Sequence, residues 1–193
     1  MLIAGLTGGM ACGKSFVAAE LRRLGAHTIE ADELGHQVLA PGGEACDAVR
    51  QAFGTADRAE LAALVFGKPE ELARLNAIVH PAVRERAAKM VAETAASDPA
   101  AIIVYVAAIL LESGGMAGMR KTIVVTCDED QQLERALERP GATRESVMAR
   151  LAHQMPLAEK VARADYVVDT SGTKEDTLRQ TKLVFDELRR LAA

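Results

Sequence analysis

Gly8-Gly9-Met10-Ala11-Cys12-Gly13-Lys14-Ser15 lies directly after the apolar run Leu2-Ile3-Ala4-Gly5-Leu6 and directly before Phe16-Val17-Ala18-Ala19-Glu20-Leu21. This is a G-x-x-x-x-G-K-S phosphate loop set between a strand and a helix. Its glycines let the backbone curl until consecutive N–H groups point at phosphate oxygens, and the helix that follows adds the positive end of its dipole. Gly8, Ala11, Cys12, Gly13, Lys14, Ser15 and Phe16 are therefore the expected nucleotide contacts. Lys14 reaches the outer phosphates and the Ser15 hydroxyl holds Mg²⁺, so the pattern implies a nucleotide triphosphate with Mg²⁺.

The chain has 193 residues, 49% of them hydrophobic, enough for one good core. A net charge of −4 gives no global pull toward nucleic acid or an anionic membrane, so an anionic substrate must meet a local basic cluster. The first residues lead straight into the phosphate loop without the pattern of a signal peptide, and no apolar run is long enough to span a bilayer. A cytoplasmic protein is expected. Cys12, Cys46 and Cys127 form no C-x-x-C, which argues against a disulfide framework or structural zinc. Cys12 is either a small residue tolerated in the loop or a thiol whose pKa the helix N-terminus lowers.

Downstream, the spacing predicts a helix over 14–24 stopped by Gly25, then a short strand His27-Thr28-Ile29 ending in Glu30-Ala31-Asp32. Strand ends line the ligand crevice of an open parallel sheet, which brings Asp32 to the edge that carries the loop. Asp32 reads equally well as the N-cap of a helix starting near Glu33. About seventy helical residues follow, broken at Pro41-Gly42-Gly43, Gly54, Gly67-Lys68-Pro69 and Pro81. Such an insertion exceeds a simple crossover, and substrate binding is its natural task. Buried strands are expected over 101–111, 122–126 and 166–169, with a helix over 129–139 capped by Asp128. On that helix Arg135 and Arg139 share a face. A further helix opens at Thr143-Arg144 and carries Arg150 and His153-Gln154 onward. The closing helix, 173–191, turns Leu178, Val184, Leu188 and Leu191 inward. Five strands, each followed by helix, make an α/β doubly wound parallel sheet.

A small-molecule kinase of this architecture needs an acceptor-site acid, helices over the acceptor and arginines on a mobile lid. Asp32, the insertion at about 33–98 and the segment at about 135–154 supply these within a single domain over 1–193. No guanine-specifying N-K-x-D is present.

These residues carry a resemblance. Leu6 to Ser15, Glu30-Ala31-Asp32, Asp57-Arg58, Leu75-Asn76-Ala77-Ile78-Val79-His80-Pro81, Leu110-Leu111-Glu112, Arg135, Arg139, Gln154 and Ala164-Asp165-Tyr166-Val167-Val168-Asp169 together resemble the dephospho-CoA kinase family. The resemblance implies ATP-dependent phosphorylation of the ribose 3′-hydroxyl of dephospho-coenzyme A, the last step of coenzyme A biosynthesis. It implies Asp32 as base or orienter of that hydroxyl, Ala11 to Phe16 around the ATP phosphates, and Arg139 on the lid. His80 is either a substrate contact or half of a His-Pro turn between helices. The chain departs from the family pattern at Ala11 (Gly), Cys12 (Ser), Phe16 (Thr), Glu30 (Asp), Ala108-Ile109-Leu110 (Pro-Leu-Leu) and a shortened loop before Asp57. A non-catalytic nucleotide-binding paralogue and a kinase for another small molecule remain as alternatives.

Overall fold

The computed structural model describes residues 1–152 and 154–192. His153, expected on the lid, lies outside the described residues. The chain divides into two compact units, one of Met1–Ile29 with Thr94 onward and one of Glu30–Glu93.

A five-stranded sheet carries the first unit: β1 (Leu2–Gly8), β2 (His27–Glu30), β3 (Ile102–Val106), β4 (Met119–Thr126) and β5 (Tyr166–Asp169), ordered β2-β3-β1-β4-β5. β1 runs parallel to both β3 and β4, and β4 runs parallel to β5. Side chains alternate across a strand, so register decides which residues share a face. Leu2, Ala4 and Leu6 stand opposite Ile102, Val104 and Val106, and Leu6 also stands opposite Ile123. Val125 pairs with Val168 and extends the row. Val17, Ala18 and Leu21 of α1 (Lys14–Arg23) cover this face with Val184, Phe185 and Leu188 of α9 (Lys174–Ala192), forming one buried core.

The opposite face corrects an expectation. β3 ends at Val106, and no helix lies between β3 and β4 among the described residues. The apolar residues after Val106 are instead a run of turns whose Leu110 is fully buried. A side chain at Gly5 would collide with Leu110 and with Met119 at the start of β4. Glycine on the central strand therefore lets the connection itself cover the sheet, where a crossover helix was expected.

On α9 the buried face is Thr177, Thr181, Val184, Phe185 and Leu188; Leu178 is half-buried and Leu191 exposed. The two threonines are admitted because their hydroxyls donate to carbonyls one turn back, Thr177 to Thr173 at 3.2 Å and Thr181 to Thr177 at 2.8 Å.

The second unit holds α2 (Ala31–Leu39), α3 (Cys46–Phe53), α4 (Arg58–Val65) and most of α5 (Pro69–Ser97). Asp57 caps α4, accepting from the N–H groups of Ala59 and Glu60 at 2.9 and 3.0 Å. The breaks after α2, α3 and α4 stand where expected, but Pro81 breaks nothing: it lies inside the 29 residues of α5. Twelve helical residues before it and sixteen after it, with Val83 and Ala87 buried, hold the helix through a position that lacks an N–H. The His80-Pro81 turn is thereby excluded. No described helix is long and apolar enough to cross a membrane.

Candidate active site

Between β1 and α1 the backbone reverses at Ala11 (φ 62°) and Gly13 (φ 79°), both left-handed. For Ala11 this conformation costs about 1–2 kcal/mol, and for Gly13 almost nothing. Left-handed residues among right-handed ones turn successive N–H groups to one side, the geometry of an anion nest. Cys12 N–H donates back to Gly9 O at 3.3 Å and closes the loop. The first N–H groups of α1 have no carbonyl one turn earlier within the helix. No side chain caps that end, and its first turn contains no acidic residue. The helix dipole and the absence of acid at this end favour an anion, which fits the phosphates of a nucleotide. Lys14 is half-buried, Ser15 exposed, and the Phe16 ring 38% exposed.

Three distant side chains hold this loop. Gln132, buried on α6 (Glu129–Leu137), donates from Nε2 to Met10 O at 2.9 Å. Thr170, just after β5, has one hydroxyl proton and two carbonyls in reach, Cys12 O at 3.1 Å and Thr126 O at 3.2 Å. Arg135 donates to Thr170 Oγ1 at 3.0 Å, to Thr170 O at 2.9 Å and to Gln131 Oε1 at 2.9 Å. Neither Gln132 nor Thr170 is legible as a site residue in the sequence, because each acts across more than a hundred residues of chain.

Other expected site residues fall as follows. α6 stops at Leu137, two residues early, since the residue before Pro140 is disfavoured in helix; Arg139 sits in the turn that follows and shares no helix face with Arg135. Asp128 occupies the cap position of α6 without a side-chain cap bond. Asp32 is the second residue of α2, exposed, and the N-cap is Glu30, so Asp32 is not the cap. His80 is half-buried on α5, where burial and then the Arg84 charge push its pKa down, leaving it neutral at pH 7. For Cys12 the lowered-pKa reading falls and the small-residue reading stands. Cys12 is fully buried, and burial, then the neighbouring Cys127 thiol, push its pKa up to about 12 instead of down.

The family model described as dephospho-CoA kinase matches residues 2–176. The chain belongs to the dephospho-CoA kinase family. A dephospho-CoA kinase of Geobacillus kaustophilus is 46% identical over 196 residues, covering 96% of each chain. One from Rhizobium meliloti is 41% identical, covering 98% of this chain and 99% of the relative. A crystal structure from Thermus thermophilus superposes with a TM-score of 0.81 at 33% identity, covering 96% and 97% of the two chains. The Campylobacter jejuni dephospho-CoA kinase shares the fold, with a TM-score of 0.72 at 22% identity and coverage of 99% and 98%. As a member of this family the chain is an enzyme, a kinase.

Within this dephospho-CoA kinase family member, one buried pair lies beyond the loop. Lys160 of α8 (Leu157–Ala162) is fully buried and pairs with Glu112 Oε1 at 2.8 Å; its ammonium also donates to Ala108 O at 2.8 Å. The same Glu112 oxygen accepts Met155 N–H at 2.9 Å. Burial pushes the Glu112 carboxyl up, but Lys160 and the backbone donors outweigh it and hold the group below its usual range. Met155 follows α7 (Arg144–Ala152), so this carboxylate fixes the end of the segment expected to move. Between α6, α7 and α8 opens a cavity of about 660 Å³, lined among others by Gly9, Cys127, Leu133, Arg144, Met148 and Met155.

Proposed function

We infer that this chain transfers the γ-phosphoryl group of ATP to the ribose 3′-hydroxyl of dephospho-coenzyme A. The observation that carries the reading is the anion nest at Ala11 and Gly13, opening onto an uncapped, acid-free helix end in a chain of this family. The loop from Ala11 to Phe16 would wrap the phosphates. Lys14 would neutralise charge that grows on the transferring group, and Ser15 would hold Mg²⁺, which when bound offsets phosphate charge. Asp32 would orient the acceptor hydroxyl and take its proton.

Arg135, tied to Thr170 and Gln131, would serve as the fixed base of a lid over about 135–154, with Arg139 in the turn beyond it as the closing cation. The helical unit, expected over about 33–98, would bind the acceptor. An ADP-release assay across dephospho-CoA, AMP, adenosine and pantothenate tests the reading. Release with dephospho-CoA far above the others is expected; equal rates, or none, would refute it.

A further inference from the structure

Under the phosphate loop two cysteines meet. The Cys127 thiol, one residue beyond β4, donates to Cys12 Sγ at 3.1 Å. A disulfide needs about 2.05 Å between sulfurs, so closure takes about 1 Å of travel. Both cysteines are buried, and no group of three or more metal-binding side chains occurs among the described residues, too few for structural zinc. Cys46, the third, lies on α3 and accepts from Arg50 within that helix at 3.6 Å.

Cys12 Sγ sits directly beneath the loop: a Cβ placed on Gly9 would meet it at 2.7 Å. The backbone of the same residue is part of the loop's bracing, its N–H donating to Gly9 O and its carbonyl accepting from Thr170. Drawing this sulfur toward β4 therefore draws on the nest from below. Cys127, in turn, is among the residues lining the open cavity with Gly9 and Leu133, and a small oxidant would approach from that side.

We propose that Cys12 and Cys127 are a modification site, closing to a reversible disulfide under hydroperoxides and thereby disabling the phosphate loop. Cys127 thiolate attacks the peroxide oxygen, giving a sulfenic acid and an alcohol, or water from hydrogen peroxide. The Cys12 sulfur then attacks Cys127 sulfur and expels hydroxide, which takes the Cys12 proton and leaves as water. Two thiols lose two electrons and the peroxide gains them. The raised pKa of Cys12 makes it a poor first nucleophile and leaves the opening step to Cys127. A dithiol such as dithiothreitol reverses the bond.

The loss of function rests on the kinase reading above, whereas the disulfide itself does not, so the test measures both. The native protein is treated with hydrogen peroxide, cleared of peroxide with catalase and unfolded, and its free thiols are counted by alkylation before peptide mapping without reductant. One free thiol, on Cys46, and a Cys12–Cys127 linked peptide are expected. Three free thiols, or a link to Cys46 or to a second chain, would overturn the proposal. Binding of a fluorescent ATP analogue and ADP release with dephospho-CoA should both fall at least tenfold, since a displacement of about 1 Å at a phosphate site can cost about a hundredfold. Both should return with dithiothreitol. Cys127→Ala should keep basal activity and be indifferent to peroxide, while Cys46→Ala should respond as the native chain does. Equal inactivation of Cys127→Ala would overturn the switch, and a mapped disulfide with unchanged nucleotide binding would overturn its effect on the loop.

Discussion

Lys160 Nζ and Glu112 Oε1, 2.8 Å apart, form the one ion pair among those described in which a side chain is wholly buried. The Glu112 side chain remains 21% exposed. Removing a partner of a buried pair usually costs about 3–5 kcal/mol, and the exposed edge of Glu112 reduces that here to about 2 kcal/mol. Lys160→Met should lower Tm by roughly 5 °C. Glu112→Leu added to it should recover most of the loss, because no unpaired charge remains. Thermal unfolding of the single and double variants checks this, and additive losses would show that the pair is not coupled.

The same carboxyl sets an acid limit. Held below its ordinary value of 4.5 in the fold, Glu112 contributes stability that is full above that value. The contribution is lost as the pH falls through the lower folded value. The native chain should therefore lose stability more steeply below about pH 4.5 than Glu112→Gln, with the two curves parallel from pH 6 to 8. Denaturant midpoints across that range measure it.

The phosphate loop was legible because its chemistry is local: eight consecutive residues specify both turn and helix start. Its support was not. Thr170 reaches Cys12 across 158 residues and Gln132 reaches Met10 across 122, and neither leaves a pattern in its own neighbourhood. Ala107 to Leu111 read as strand because burial without period looks the same in a strand and in a turn packed on Gly5. Pro81 read as a break because propensity alone cannot see the flanking helix that carries it. Asp32 lies at a helix start as expected, but α2 begins at Ala31, two residues before the expected Glu33, so Asp32 falls inside its first turn.

Lys14→Ala should remove the cation at the outer phosphates and reduce kcat at least a hundredfold, about 3 kcal/mol, with the fold unchanged by circular dichroism. Near-native turnover would take the loop out of the mechanism.

Thr170→Val keeps volume but removes the hydroxyl that ties Cys12 O to Arg135. Loss of about 1–2 kcal/mol of stability and a raised KM for ATP are expected. Hydrogen exchange should separate brace from lid. On binding an ATP analogue with dephospho-CoA, amides over 138–152 should slow, while those around Arg135 should already be protected. Uniform exchange before and after binding would leave Arg139 and Arg144 as surface charges.

Asp32 separates a working kinase from a nucleotide-binding relative without catalysis. A ribose hydroxyl is a weak acid whose proton must leave as the new bond forms, so a carboxylate in reach can orient the oxygen and accept that proton. The cap reading is gone, since Glu30 occupies the cap of α2 and Asp32 lies in its first turn. What a purely structural role leaves is a charge near the helix N-terminus, worth about 0.3–1 kcal/mol. Asp32→Asn keeps the shape and removes that charge. If Asp32 acts on the acceptor, turnover should fall by roughly two to four orders of magnitude while calorimetric ATP binding stays nearly unchanged. If it only complements the helix dipole, stability should drop by that fraction of a kcal/mol and turnover should hold. Wild-type kinase activity on dephospho-CoA in the Asn variant would end the catalytic assignment.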